Sequence, residues 1–590
     1  MRATIAPGRA GGTAAGYHAA PMRSLLGLRV LAIDRLRPSE WQRTLLWAGL
    51  IGALGALATI GFREGVFLAE RLLYGRGEGL VHIAAGLPWW QRLLVPALGG
   101  IVAGAVLAWA RRVGSGAKGS DYMEAIALGD GNLGVRASCL RALSSAATVT
   151  SGGATGREGP MVQLAALAGS LIGRWRDAPV PRRRLMVACG AAAGVATAYN
   201  APIAGALFVA EIVLRSLAIE SLGPLLVAAF AANLTSSGLV GFAPVYRMPS
   251  LALPEGPAVL LLGGLGLAAG LLAPLYLGLL DRAHALFARW RAPLALRLGA
   301  GGLVVGVASI ASPDVWGNGY SVVNSILGGG WLWSTLLAVL ALKLVAVAAT
   351  TGSGAVGGVF TPTLFVGAVA GALFGAAAHA LLPGALHGSA SVAIGMGAFL
   401  SACTHAPLMS VLMIFEMTES YAVVVPLMLV CVLAYSVSRV LRPASIYAGA
   451  HAASPHAPAL TMAADLLRPG APTVRAGQTL HELEEAFARW RWQHVYVLDE
   501  HRRFLGAVAM HDLAPLLRRE APDASRPWPA ALLRENYPRV TDTTPLWQVL
   551  EVFATHPGER LPVVDAAGRL CGHVVKTDLV LMFRERLAVG

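Results

Sequence analysis

Thr150-Ser-Gly-Gly-Ala-Thr-Gly-Arg-Glu-Gly-Pro160 has a second copy in the chain, Gly352-Ser-Gly-Ala-Val-Gly-Gly-Val-Phe-Thr-Pro362. A shift of 202 lays Gly152, Gly156, Pro160, Gly169 and Gly173 on Gly354, Gly358, Pro362, Gly371 and Gly375. A second block follows at a shift of 205: Asn200-Ala-Pro-Ile-Ala-Gly-Ala-Leu-Phe-Val-Ala-Glu211 matches His405-Ala-Pro-Leu-Met-Ser-Val-Leu-Met-Ile-Phe-Glu416. Each half has a glycine-rich turn into a proline-started helix, then an Ala-Pro turn into a helix that closes on a carboxylate. Small residues alone would signal close helix packing. Packing explains neither the prolines nor the two glutamates, and duplication of this kind sets a binding site between the halves.

The surroundings of these blocks are apolar. Of 590 residues only 14% are charged, and mean hydropathy is +0.60, against about 25% charged in soluble chains. The first 450 residues hold 48 of the 80 charged residues, and the last 140 hold 16 basic and 16 acidic ones. The excess of +14 therefore belongs to the membrane part, which excludes a compact basic nucleic-acid domain. Residues 1–43 form a basic segment with Arg2, Arg9, Arg23, Arg29, Arg35, Arg37 and Arg43 against Asp34 and Glu40. By the positive-inside rule this segment is cytoplasmic. No cleaved signal peptide is expected, because Arg29 breaks the only early apolar stretch.

Runs such as Thr44 to Phe62, Arg92 to Ala110, Pro257 to Leu279 and Tyr421 to Val440 could cross a bilayer alone. Pro160 to Gly173, Leu185 to Tyr199, Pro202 to Leu214 and Pro407 to Met417 are roughly 11 to 15 residues, below the roughly 17 to 25 that a spanning helix needs. Broken helices at membrane depth belong where their ends are buried in protein or line a watery path.

The turns carry anion chemistry. Glycine frees the backbone, and proline in the first helical turn leaves the preceding N–H groups pointing out of the helix end. Gly156, Arg157 and Gly159 thereby offer an anion site without a full positive charge, so an ion can bind and leave. Glu158 sits where that anion would sit. Its carboxylate reads as a competing plug that protonation removes, beside the plainer reading of an acidic helix cap. Glu211 and Glu416, at equivalent repeat positions, read as structural carboxylates capping backbone N–H groups. The tract Arg182-Arg183-Arg184 reads as a solvated loop near a membrane face.

The turns Gly156-Arg-Glu-Gly-Pro160, Gly358-Val-Phe-Thr-Pro362, Asn-Ala-Pro202 and His-Ala-Pro407, with Ser445-Ile-Tyr447, resemble the CLC family of chloride channels and proton-coupled chloride transporters. The resemblance covers roughly Trp41 to Tyr447. It implies an all-α polytopic membrane domain over residues 44–447, made of two inverted repeats of tilted and broken helices. It also implies a homodimer in a bacterial inner membrane, with one anion path per subunit and chloride as the bound ion. By motif position Glu158 is the gate, Val359 and Phe360 present backbone N–H groups, and Tyr447 supplies a hydroxyl.

Two departures from the family pattern stand out. Coupled members commonly place a second glutamate after the first in the helix following Asn-Ala-Pro, as an internal proton relay. Here Ile212 follows Glu211, so the relay position is lost. This favours channel-like or weakly coupled flow, with an antiporter using another internal proton route as the alternative. In the first glycine-rich turn the family serine maps onto Ser115 by the Gly-Ser-Gly match, or onto Lys118 by gap-free spacing to Glu124. A membrane lysine is a functional candidate by default, although Lys118 could also snorkel or pair with Asp121 or Glu124.

Residues 448–461 read as a linker rich in Ala, His and Pro. Beyond it, a shift of 66 lays Val497, Asp499, Gly506, Asp512 and Leu513 on Val563, Asp565, Gly572, Asp578 and Leu579. This resembles a small α/β pair of CBS domains, with repeats over residues 462–520 and 521–590, also cytoplasmic. Asp512 and Asp578 keep the place of an aspartate that can hold a nucleotide ribose, but the hydroxyl positions are Ala509 and Val575. A dimerisation module fits better than an adenine nucleotide site, and no cofactor is required.

No enzyme is expected. His481-Glu-Leu-Glu-Glu485 lacks the second histidine of a zinc motif, and Gly114 to Gly119 lacks the Gly-Lys-Ser/Thr of a phosphate loop. Cys139, Cys189, Cys403, Cys431 and Cys571 are too scattered for a disulfide framework or a zinc site. A CBS-bearing transporter of another ion, such as a divalent cation, would need pore carboxylates, and few acidic residues lie in the apolar runs.

Overall fold

The computed structural model describes residues 40–77, 79–113, 121–241, 244–248, 258–382, 388–448, 462–490, 492–518, 525–556 and 558–579. The chain divides between Ala448 and Gly449 into two units.

The regular elements among the described residues of the first unit are helices. Its first half holds α1 (Glu40–Tyr74), α2 (Leu80–Gly86), α3 (Trp89–Val113), α4 (Tyr122–Ala127), α5 (Val135–Thr150), α6 (Glu158–Trp175), α7 (Val180–Tyr199), α8 (Pro202–Leu207) and α9 (Ile219–Val240). Its second half holds α10 (Ala258–Arg289), α11 (Leu294–Ala311), α12 (Tyr320–Leu327), α13 (Trp333–Gly352), α14 (Phe360–Leu381), α15 (Gly388–Thr404), α16 (Pro407–Thr418) and α17 (Val424–Leu441). Eight helices among the described residues are long and apolar enough to cross a membrane.

The duplication is visible in the packing. α1 packs on α9 as α10 packs on α17, and α6 packs on α7 as α14 packs on α15. The latter pairs approach through small residues. A Cβ on Gly169 would lie 2.1 Å from the Met186 carbonyl oxygen, and one on its repeat partner Gly371 would lie 2.2 Å from that of Ser391. Only glycine permits backbones this close, and without water to drive association such contacts hold membrane helices together.

Two elements differ from the sequence reading. α6 is 18 residues and α7 is 20, both longer than their apolar runs. The extra length in α7 is its first turn, which contains Arg182, Arg183 and Arg184. These arginines are therefore helical rather than a solvated loop: Arg183 donates to Asn132 Oδ1 at 2.8 Å, and Arg184 Nε to the Gly129 carbonyl at 2.5 Å. By contrast, α8 runs for only six residues before a π-helical stretch, Phe208–Val213, and α16 for twelve. Both follow a left-handed residue, Asn200 at φ 52° and its repeat partner His405 at φ 59°. Asn and His are among the side chains that most tolerate this region, and Pro at the next helix start fixes where each helix begins.

The second unit holds two three-stranded sheets with the same plan. β1 (Thr473–Arg475) pairs parallel with β2 (His494–Leu498), which pairs antiparallel with β3 (Phe504–Ala509). β4 (Val540–Thr541), β5 (Arg560–Val564) and β6 (Leu570–Val575) repeat this order. Register repeats too: Val497 faces Gly506 and Val563 faces Gly572, each just before a bulge. α18 (Leu480–Trp490) and α20 (Leu546–Thr555) precede β2 and β5, while α19 (Met510–Arg518) follows β3. The buried cores are equivalent, Val495, Val497, Val508 and Leu513 against Leu561, Val563, Val574 and Leu579.

Candidate functional site

The two glycine-rich turns meet. Gly156 N–H donates to the Gly358 carbonyl and Gly358 N–H donates to the Gly156 carbonyl, both at 2.8 Å. Equivalent residues bonding reciprocally and antiparallel define a local two-fold axis between the halves. Two residues beyond, α6 starts at Glu158 and α14 at Phe360, so two helix N-termini converge on one place. The first N–H groups of any helix lack intrahelical acceptors, and each end adds a partial positive charge.

Glu158 is buried, at 4% exposure. Its Oε1 accepts from Tyr320 OH at 3.3 Å and Asn318 Nδ2 at 3.4 Å. Its Oε2 accepts nothing among the described residues. That oxygen lies against Gly156, where a Cβ would stand 1.9 Å away. The Arg157 guanidinium is turned aside, 5.1 Å over the Phe67 ring on α1.

From the carboxylate a row of aromatic groups leads inward. Tyr320 OH accepts from Thr361 Oγ1 at 3.4 Å, and Tyr199 OH lies 3.5 Å from the same hydroxyl. Phe360 packs on Tyr199 and Phe208 with centroids 4.9 and 6.1 Å apart, and Phe208 packs on Tyr447 at 5.7 Å. Val359 is the residue before α14. Ile446 N–H donates to the Cys403 carbonyl at 2.9 Å, which anchors the segment bearing Tyr447.

A cavity of about 620 Å³ reaches these helix ends, lined by Arg111, Tyr122, Arg141, Gly159, His284 and Gly357 among others. Asp121 also lines it, 3.6 Å from Arg141. Among the described lining residues the fixed charges thus favour an anion by two arginines to one aspartate. Ser115 and Lys118 lie outside the described residues.

Glu211 and Glu416 are repeat-equivalent in their bonds. Glu211 accepts from Met409 N–H at 2.8 Å and Leu408 N–H at 3.4 Å, at the start of α16. Glu416 accepts from Ala204 N–H at 2.7 Å and Ile203 N–H at 2.9 Å, at the start of α8. Each half's carboxylate thus serves the other half's helix start. Ile212 is buried in the π-helical stretch.

In the second unit both aspartates are ion-paired. Arg534 Nη2 lies 2.8 Å from Asp512, and Arg468 Nε lies 2.6 Å from Asp578. These arginines are themselves repeat partners. The side chains of Ala509 and Val575 are buried. A cleft of about 700 Å³ is lined by His494, His511, Arg534, Tyr537 and His556 among others. No cluster of metal-ligating groups is found among the described residues.

The model of the family described as voltage gated chloride channel matches residues 98–439, and the CBS domain model matches residues 463–519 and 530–585. The chain belongs to the voltage gated chloride channel family. A ClcB-like protein of Ralstonia nicotianae is 55% identical over 412 residues, 68% of this chain and 95% of its own. The voltage-gated ClC-type chloride channel ClcB of Salmonella dublin is 44% identical over 414 residues, 69% of this chain and 98% of its own. Among solved structures, a slow cyanobacterial Cl−/H+ antiporter matches with TM-score 0.60 at 24% identity, over 69% of this chain and 96% of its own. A eukaryotic CLC transporter matches with TM-score 0.55 at 19% identity, over 91% of this chain and 98% of its own. At these identities the structural likeness speaks for the fold, an integral multi-pass membrane domain followed by CBS domains.

Within this chloride channel family member, three residues at the site escaped the sequence reading. Asn318 lies just ahead of α12 and Tyr320 opens it, and neither carries a local signal. Lys343 did carry one: it is the only charge in α13, and an ionisable residue inside an apolar run is a functional candidate.

Proposed function

We propose that this protein moves chloride passively, in a channel-like or only loosely proton-coupled way, and that Glu158 gates the path. The observation that carries the reading is the seat of Glu158, buried at converging helix N-termini with Oε2 unpartnered. A carboxylate there competes with an anion for the same positive end, and a proton on it ends the competition. Acid on the external side should therefore raise flow.

Loose coupling is supported by Ile212, an apolar side chain where coupled members of the family commonly hold a second glutamate. Glu211, the neighbouring carboxylate, is engaged with α16 N–H groups. The relatives named above are described as chloride channel proteins, whereas the cyanobacterial neighbour is an antiporter, so coupling decides between two readings. One experiment separates them: chloride efflux and proton uptake measured together in liposomes holding the purified protein. Little proton movement under a chloride gradient supports the passive reading. A fixed chloride-to-proton ratio across gradients makes the protein an antiporter with another proton route. Glu158→Gln that kept the wild-type pH response would overturn the gate.

The same proposal includes a homodimer, with the N-terminal segment and the CBS domains on the cytoplasmic side. It rests on the family and on the arginines ahead of α1. The CBS pair acts as a structural module, because Asp512 and Asp578 are taken by arginines and the adjacent hydroxyls are absent.

A further inference from the structure

Lys343 is fully buried on α13. A bare ammonium at membrane depth is costly, and this one is compensated by backbone. Nζ donates to the carbonyls of Gly317 at 2.8 Å, Val315 at 2.9 Å and Trp316 at 3.5 Å. The Phe365 ring of α14 lies 5.3 Å from it, within range of a cation–π contact. The three carbonyls are consecutive, and the next residues in the chain are Asn318, Gly319 and Tyr320. Two of these donate to Glu158.

The same segment is fixed on its other sides. Trp316 is fully buried, seated so close to Gly152 that a Cβ there would stand 2.4 Å from the indole. Gly317 N–H donates to the Gly152 carbonyl at 3.3 Å. One buried cation thus binds the stretch that lies between the turn at Gly152 and the hydroxyl and amide that hold the gate.

We propose that Lys343 is a positioning residue for the gate: its ammonium gathers the carbonyls of Val315, Trp316 and Gly317 and so aims Asn318 and Tyr320 at Glu158. This inference rests on Glu158 being the gate. Among the described residues, the titratable groups that face Glu158 electrostatically include Tyr199 of α7, Tyr246, Tyr320 of α12 and Tyr447, with Arg157 beside it in the chain. Lys343 itself interacts with Asp314. Of these four phenols only that of Tyr320 donates to Glu158 among the described residues, with Asn318 as the other donor. Weaker holding of Glu158 makes the path open at neutral pH.

The test is chloride efflux from liposomes at acid and neutral external pH, read as the ratio of the two rates. Lys343→Met is expected to raise the neutral rate and cut the acid-to-neutral ratio about tenfold, the change that about 1.4 kcal/mol less hold on Glu158 produces. Lys343→Arg keeps the charge and N–H donors in a different, planar geometry, and is expected to keep more of the acid-to-neutral ratio than Lys343→Met does. Adding Lys343→Met to Glu158→Gln should change nothing further. A folded Lys343→Met with the wild-type ratio overturns the proposal, as does an equal effect of Lys343→Met in the Glu158→Gln background. If Glu158→Gln alone keeps the wild-type ratio, the gate reading fails instead. Should Lys343→Met not assemble, Asn318→Ala with Tyr320→Phe takes its place: it is expected to lose the ratio likewise, and a wild-type ratio there overturns the aiming role.

Discussion

Gly156 and Gly358 are symmetry partners with reciprocal hydrogen bonds, yet alanine at the two positions should behave very differently. Neither has a left-handed φ, so alanine suits the backbone at both. At Gly358 the new Cβ meets Gly159 N at 3.4 Å, Glu158 Oε2 at 3.5 Å and the Gly156 carbonyl oxygen at 3.7 Å, all ordinary contacts. At Gly156 it meets Glu158 Oε2 at 1.9 Å, with the Gly358 carbonyl oxygen at 3.0 Å and the Glu158 carboxyl carbon at 3.1 Å. The reciprocal backbone pair resists movement, whereas the carboxylate is the free end of a side chain, so the carboxylate moves. From 1.9 Å to contact near 3.4 Å is a shift of about 1.5 Å, enough to break bonds already at the long end of hydrogen-bond range. Those two bonds, from Tyr320 at 3.3 Å and Asn318 at 3.4 Å, are both long, and together hold the gate by about 1.5–3 kcal/mol, the range of one well-formed bond to a charged group. Losing them empties the seat about 10- to 100-fold. Chloride efflux from liposomes at neutral pH should therefore rise at least about tenfold in Gly156→Ala, approaching Glu158→Gln, with most of the acid response gone. In Gly358→Ala it should rise less than about twofold, since the contacts there are ordinary. A Gly156→Ala protein with wild-type neutral efflux, or two variants of equal effect, would refute the reasoning.

The remaining predictions concern the caps and the soluble unit. Glu416→Ala should lower stability by about 1–3 kcal/mol, since two charge-assisted bonds to a helix start are lost, and Glu211→Ala by less, because one of its bonds is 3.4 Å long. Melting in detergent ranks them, while Glu211→Gln should leave the chloride-to-nitrate preference unchanged; a changed preference would put Glu211 in the path. In the CBS pair, burial and then the neighbouring His556, Arg534 and His511 depress the pKa of His494 to about 4. The unfolded chain takes that proton near 6.5, so it binds more protons than the folded one in between, and stability is whole above about pH 6.5 and lost toward about pH 4. With the imidazole partly exposed, the loss is on the order of 1–2 kcal/mol. Pulse proteolysis of the full chain in urea at pH 7 and 5 should show it, and His494→Gln should flatten it; a wild-type midpoint that does not move speaks against it. Finally, ATP, ADP and AMP at millimolar concentration should leave the melting of the full chain unmoved, because Arg534 and Arg468 hold the two aspartates. A saturable rise with any of them would show that an arginine gives way to ribose.

The sequence by itself determined the membrane class, the duplication, the family resemblance and the CBS pair, because each is written in periodic or locally spaced residues. Gly156 with Gly358, Asn200 with His405 and Glu211 with Glu416 are pairs that a shift of the chain against itself reveals. Glycine, proline and the short polar caps fix backbone geometry within a few residues, so turns and helix starts are legible from nearest neighbours. The length of α7 was less legible, since Arg183 and Arg184, which stand ahead of its apolar run, are part of the helix and bond to Asn132 Oδ1 and the Gly129 carbonyl, 51 and 55 residues away.

Only the tertiary structure decided what each paired residue does. It set Glu211 on α16 and Glu416 on α8, a crossing between halves that no local pattern contains. It brought Asn318 and Tyr320 to Glu158 from 160 and 162 residues away, and placed Lys343 beneath the segment that carries them. Local spacing constrains the direction of a helix end, but the partners of a buried carboxylate are fixed by which surfaces pack, and packing is a property of the whole chain.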